Sequence, residues 1–199
     1  IKVFSTKDHC IMCNEMLTLM TSVTSLSDKI KMDVCACDEN SSEAKKYGIE
    51  HHPALVIESG KDFGIRFFGV PAGKEFTTLV ESIMMVSNGQ PTLPQKVLDI
   101  LKEVDKEVNL KVFVTLDCPY CPAMVHKAHK FAMASDKITS EMIEASQFVD
   151  LATKFDIFGV PNTIINNGKR NIEGLTDDLT LVKQILLAIG KTGSTSPYL

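Results

Sequence analysis

The chain has 199 residues, 44% apolar and 23% charged, with a formal net charge of −4. That balance is ordinary for a soluble protein of two units of roughly 100 residues, each large enough for its own core. The acidity argues against nucleic acid and offers no basic patch for a membrane, and no apolar run approaches the ~20 residues of a membrane-spanning helix. Six cysteines are far too few for a disulfide scaffold. No signal peptide is visible, and because the chain opens on Ile1 rather than methionine, missing upstream residues are expected.

Lys2 to Ser5 reads as a short apolar strand. A helix opens at Cys10-Ile11-Met12-Cys13, with Cys13, Met16, Leu17 and Met20 on one face. Met32 to Cys37 is the next strand, and Ser42 to Tyr47 a short helix. Pro53 opens a strand over Ala54 to Ile57, an edge strand is expected near Ile65 to Phe68, and a helix over Lys74 to Val86 closes the set. Asn88-Gly89-Gln90-Pro91 then joins a glycine and a proline between helical patterns, which marks a boundary.

Val97, Leu98, Leu101 and Val104 give a leading helix within Pro94 to Asp105, and the same order then repeats. A strand at Lys111 to Thr115 leads into a helix opening at Cys118-Pro119-Tyr120-Cys121, with Met124, Val125 and Ala128 in phase. Met142 to Ala145 is a strand and Gln147 to Phe155 a helix. Pro161 opens Asn162 to Ile165, an edge strand follows near Arg170 to Ile172, and Asp177 to Ile189 closes the second set. The expected units are residues 1–89 and 90–191, followed by a small polar tail, 192–199, expected to be disordered.

The two sets are in register. Pro53 lies 43 residues after Cys10, Pro161 lies 43 after Cys118, and the offset between copies is 108. At the same offset Lys45 to Ile49 falls over Thr153 to Ile157, and Gly60-Lys61 over Gly168-Lys169. One C-x-x-C motif also serves zinc sites and structural thiols. Two copies with matched prolines point to redox chemistry at paired dithiols. The order βαβαββα, with the motif at the first strand-to-helix junction, is the thioredoxin arrangement. The expected fold is therefore α/β: two tandem thioredoxin-like units packed as one body, with a continuous or adjacent central sheet.

The first cysteine of each pair should sit at a helix N-terminus, where free N–H groups and the macrodipole favour a thiolate. Cys10 and Cys118 are thus the expected nucleophiles, and Cys13 and Cys121 the resolving thiols that release a mixed disulfide. No metal or organic cofactor enters that cycle. The second pair is expected to do most of the work: Pro119 suits a first helical turn, and Tyr120 offers a flat surface beside the thiolate.

The remaining candidates read as structural. Cys35 and Cys37 share a face of a strand, which makes a metal or redox role conceivable, but they lie about 6.5 Å apart, near the limit for a bridge. Their counterparts Ile143 and Ala145 are apolar, so the pair is expected to be buried and unbridged. His51 and His52 could tune the first thiolate, but Gly159 and Val160 replace them in the second copy. His126 and His129 are expected at solvated helix positions, and the methionines in the core.

The motif Cys118-Pro119-Tyr120-Cys121 is identical to the glutaredoxin active-site sequence. With its tandem partner, and with the stretches Phe68 to Phe76 and Ala128 to Ala132, the chain resembles the archaeal and thermophilic protein disulfide oxidoreductases over nearly its whole length. In that family a helix also precedes the first strand, so a trimmed chain or a natural variant is expected here. The resemblance implies cis prolines at Pro53 and Pro161 lying against the dithiols, with His52 and Val160 offering backbone groups to an extended substrate. It also implies a cytoplasmic dithiol–disulfide oxidoreductase acting on protein thiols, with a thioredoxin-reductase-like flavoenzyme as electron donor. One alternative is an electron shuttle like the tandem thioredoxin-fold domain that serves peroxiredoxin in alkyl hydroperoxide reductase flavoproteins, although that domain normally keeps one C-x-x-C. Another is a zinc-binding structural protein using the four motif cysteines as one site.

Overall fold

The computed structural model describes residues 1–6, 10–38 and 40–191. The first unit runs β1 (Lys2–Ser5), α1 (Cys13–Thr24), β2 (Asp33–Ala36), α2 (Ser42–Tyr47), β3 (Ala54–Ser59), β4 (Lys61–Phe68) and α3 (Glu75–Asn88). After α4 (Gln95–Leu101), the second unit runs β5 (Val108–Val114), α5 (Cys121–Ala134), β6 (Ile138–Glu144), α6 (Val149–Lys154), β7 (Asn162–Ile165), β8 (Arg170–Glu173) and α7 (Asp178–Ala188). Local chemistry sets several of these ends. The Ser41 hydroxyl accepts from the Ala44 N–H at 3.1 Å and starts α2, and Gly48, at φ 65°, stops it. Asp177 caps α7 by accepting from the Thr180 N–H at 2.9 Å. The expected disordered tail lies outside the described residues.

The eight strands of the described residues form one sheet in the order β2-β1-β3-β4-β6-β5-β7-β8. Successive residues of a strand point to opposite faces, so both faces need cover, and the apolar runs supply it. Val3 and Phe4 are both fully buried on β1. Val3 joins the larger core with Met16, Met20, Leu79 and Phe131, whereas Phe4 joins a smaller one with Ala44, Tyr47 and Ile49.

The expectation of an edge strand at Ile65 to Phe68 is wrong. β4 pairs in parallel with β6, matching Ile65 to Ser140, Phe67 to Met142 and Phe68 to Ile143, so it lies mid-sheet. The two units are joined head to tail: the last strand of the first pairs with the second strand of the second. That leaves β2 and β8 as the edges.

The same junction overturns the solvated reading of His129. α3 of the first unit packs on α5 of the second, and His129 is fully buried between them. Its ring meets Phe67 edge-on at 4.9 Å, and its Nδ1 lies 3.0 Å from the Ser82 hydroxyl. Burial, with some help from nearby His126, pushes the imidazole down to about 3, so it is a neutral packing group. His126 is half-buried rather than solvated, 3.3 Å from Glu81.

Candidate active sites at the two dithiols

Each C-x-x-C motif follows the C-terminal end of a strand at the middle of its unit's half-sheet, β1 or β5. Cys10 is bridged to Cys13 and Cys118 to Cys121. In each pair the second cysteine is the first residue of its helix and is buried, 4% exposed at Cys13 and 0% at Cys121. Between them the chain bulges outward, leaving Ile11 88% and Tyr120 62% exposed. Pro119 falls short of the expected helical turn: Tyr120 is the N-cap residue, and the proline inside the first turn is Pro122.

The two sites differ in their hydrogen bonding. The Cys121 N–H donates to Cys118 Sγ at 3.1 Å, and that sulfur lies 3.9 Å from the Val160 carbonyl oxygen. A helix-terminal N–H aimed at sulfur is the feature that stabilises a thiolate once the bridge opens. At the first site the Cys13 N–H donates to the Cys10 carbonyl at 3.4 Å.

The His52–Pro53 and Val160–Pro161 peptide bonds are both cis. Each proline is buried at the start of its strand, with His52 and Val160 half-buried ahead of it. The carbonyl of Pro53 accepts from the Gly69 N–H at 3.0 Å, and that of Pro161 from the Gly174 N–H at 2.8 Å. The next strand of each unit therefore clamps the proline loop in the same way. His51 packs against Phe68 and Phe148, and burial lowers its pKa, which favours the neutral ring.

Three features escaped the sequence. Phe158, two residues before Val160, is 95% exposed, and nothing in the apolar run Ile157-Phe158-Gly159-Val160 separates it from a buried aromatic. The connection from β4 to α3 also reaches the second site. Gly73, at φ 55°, lies so close to that loop that a Cβ would sit 2.5 Å from the Leu116 carbonyl oxygen, and the Lys74 N–H donates to the same oxygen at 2.8 Å. Glu75 follows fully buried, its carboxyl held by the Thr78 hydroxyl at 2.7 Å, and burial pushes it up to about 7.

The third concerns Cys35 and Cys37. Expected buried and unbridged, they are half-buried and joined to each other, with Cα atoms 5.5 Å apart. The strand ends at Ala36, and leaving the extended conformation there draws the two Cα atoms closer than a regular strand would.

A cavity of about 640 Å3 lies elsewhere, lined by Tyr47, His51, Arg66, Lys111 and Glu141 among others and by no motif residue. Two of its cations pair locally, Arg66 with Asp62 and Lys111 with Glu141 at 2.6 Å. The motif cysteines close as two separate bridges on strands four places apart in the sheet, roughly 19 Å at ~4.8 Å per strand. They cannot converge on one zinc ion. Among the described residues no cluster of three or more His, Cys, Asp or Glu side chains could hold a metal, and no helix is long and apolar enough to cross a membrane.

Residues 108–187 match the family described as "Thioredoxin domain". Among curated proteins the chain is 29% identical over 177 residues to "NADH dehydrogenase" of Ferdinandcohnia aciditolerans, covering 88% of this chain and 31% of that protein. It is 24% identical to an alkyl hydroperoxide reductase component of Staphylococcus aureus, covering 92% and 33%. The chain thus spans about a third of the length of these relatives. Among solved structures, the NTD_N/C domain of alkylhydroperoxide reductase AhpF from Enterococcus faecalis superposes with a TM-score of 0.83 at 26% identity, covering 92% of this chain and 89% of that one. A protein disulfide oxidoreductase from Aeropyrum pernix gives 0.83 at 26%, covering 97% and 87%. With two such units in one sheet and a dithiol at the head of each first helix, the chain has a tandem thioredoxin fold carrying two redox-type C-x-x-C pairs, similar to that of these oxidoreductases.

Proposed function

We propose that this chain relays reducing equivalents from a thioredoxin-reductase-like flavoenzyme to protein disulfides in the cytoplasm, with units divided near residue 89. Cys118 and Cys10 are the nucleophiles, and Cys121 and Cys13 resolve the mixed disulfides. Pro161 with Val160, and Pro53 with His52, form the walls along which an extended substrate segment lies. Tyr120 supplies apolar contact at the second pair. The observation that carries this reading is the Cys118 sulfur, which receives the Cys121 N–H and sits 3.9 Å from the Val160 carbonyl. The cycle uses the disulfides alone as redox groups.

A second reading makes peroxiredoxin the acceptor, and the similarity to the alkyl hydroperoxide reductases favours it. One assay separates the two. The purified chain is given NADPH or NADH and a thioredoxin-reductase-like flavoenzyme, then oxidised insulin or an oxidised peroxiredoxin. Turnover with insulin supports the general relay; turnover confined to peroxiredoxin supports the dedicated shuttle. Reduction of neither, with both motif pairs intact, would sink both.

A further inference from the structure

The bridge between Cys35 and Cys37 has no evident structural task. It joins two residues of one strand end across Ala36, so it ties no distant segments together and closes almost no loop. A crosslink stabilises through the loop it closes, and a loop this short gives about the least stabilisation a disulfide can. Its surroundings differ from those of its repeat counterpart. On β6 the equivalent position, Ile143, pairs with Phe68 of β4 and is fully buried. Among the described residues no strand lies beyond β2, and Cys35 and Cys37 are both half-buried. The repeat thus covers this position in one copy and leaves it open, with a disulfide on it, in the other. The bridge also lies at the end of the sheet where the motifs sit: β2 is parallel to β1, Cys35 is opposite Phe4, and the Cys37 N–H donates to the Ser5 carbonyl at 2.9 Å.

We propose that Cys35 and Cys37 form a third redox-active pair, which exchanges with dithiols at the open edge of the sheet. A thiolate of the incoming dithiol attacks one sulfur of the bridge, the Cys35–Cys37 bond breaks, and the other sulfur leaves as a thiolate. The second thiol of the incoming molecule, deprotonated, then attacks the mixed disulfide. The incoming dithiol becomes a disulfide, Cys35 and Cys37 become two thiols, and two electrons and two protons have moved. The donor is either a free dithiol or the reduced Cys10–Cys13 pair of this protein. This site is independent of the substrate and direction assigned above.

The test uses the full chain and three variants. In the first, all four motif cysteines become serine, leaving only Cys35 and Cys37. In the second, only Cys10 and Cys13 become serine. In the third, Cys35→Ile and Cys37→Ala copy the second unit. Native protein is equilibrated with dithiothreitol at a series of redox ratios, quenched by alkylation, and read cysteine by cysteine by mass spectrometry. We expect three reducible pairs in the wild type and one, fully reversible, in the first variant. We expect the third variant to melt within about 5 °C of the wild type, since the bridge closes so short a loop.

Limiting reductant then identifies the source. Labelling of Cys35 and Cys37 that disappears in the second variant assigns the electrons to Cys10–Cys13; labelling that persists assigns them to the free dithiol. A Cys35–Cys37 bridge that stays closed until the protein unfolds, or thiols found free in air-oxidised wild type, would overturn the proposal. So would a large drop in melting temperature in the third variant, which would make the bridge a staple. Insulin reduction by the third variant reads the general function separately: turnover retained there shows that the relay through the motif pairs stands whether or not Cys35 and Cys37 exchange.

Discussion

The two C-x-x-C sites come from one repeated plan, yet they stand in different settings. Cys118 is 8% exposed, takes an N–H from Cys121 on its sulfur, and is backed by Gly73 and Lys74 of the other unit through Leu116. Cys10 is half-buried, and the Cys13 N–H goes to its carbonyl instead. Head-to-tail joining makes the difference. Each copy keeps its own strands and helices, and among the described residues it is the second whose active-site loop is braced by a neighbour. Duplication preserves a chemistry, while the junction decides how tightly each copy of it is held.

The largest test of that contrast is at the nucleophiles. Cys118→Ser should cut insulin reduction by on the order of tenfold or more, and Cys10→Ser by a smaller factor. Cys121→Ser should accumulate a mixed disulfide on Cys118, visible as a mass adduct, because the nucleophile remains while its resolving thiol is gone. The reverse ranking of Cys10 and Cys118 would break the comparison.

Glu75 tests the brace. Its carboxyl is pushed from 4.5 up to about 7, chiefly by burial and against the opposing Thr78 hydrogen bond. Between those values the folded chain holds a proton that the unfolded chain has released. Stability therefore falls as pH rises through this window, by roughly 3 kcal/mol once above it. Urea unfolding should show Glu75→Gln matching the wild type below pH 5 and exceeding it at pH 8. Parallel curves would mean the carboxyl is not held neutral.

Gly73→Ala should cost about 1–3 kcal/mol, because it combines a positive φ with a Cβ pressed onto a backbone oxygen. Its sharper readout is selective: the alkylation rate of reduced Cys118 should change while that of Cys10 does not. Equal changes at both sites would show that the brace is not local. The smallest effect is expected from Tyr120→Ala, about a threefold rise in KM for a protein substrate, with little change toward a small disulfide reagent, since only apolar contact is lost.

Much of this was legible in the sequence because it is local or periodic. The motifs, the prolines at matched distance and the strand–helix order within each unit all follow from spacing. What the sequence concealed lies where one unit meets the other. Phe67 and Phe68 look like part of a short edge strand because nothing in their pattern encodes backbone pairing with Met142 and Ile143. His129 lies just beside the predicted apolar face of α5, and it is buried only because α3 arrives from the other unit and widens that face. Cys35 and Cys37 were misjudged by analogy with Ile143 and Ala145, whose apolar character answers to a strand, β4, that β2 does not have beside it.

Head-to-tail joining carries a hazard as well. The surface β4 offers β6 is offered again, in principle, by β8 to the β2 of another molecule, and such a contact would not close on itself but would extend into a fibre. The last strand is written against that outcome. Where β4 is eight residues long and brings Ile65 and Phe68 to the junction, β8 has four and puts Arg170 and Glu173 at the matching places. A short rim carrying a full charge at each end is a poor template for a further strand. The second copy of the repeat thus ends the ladder that the first one began.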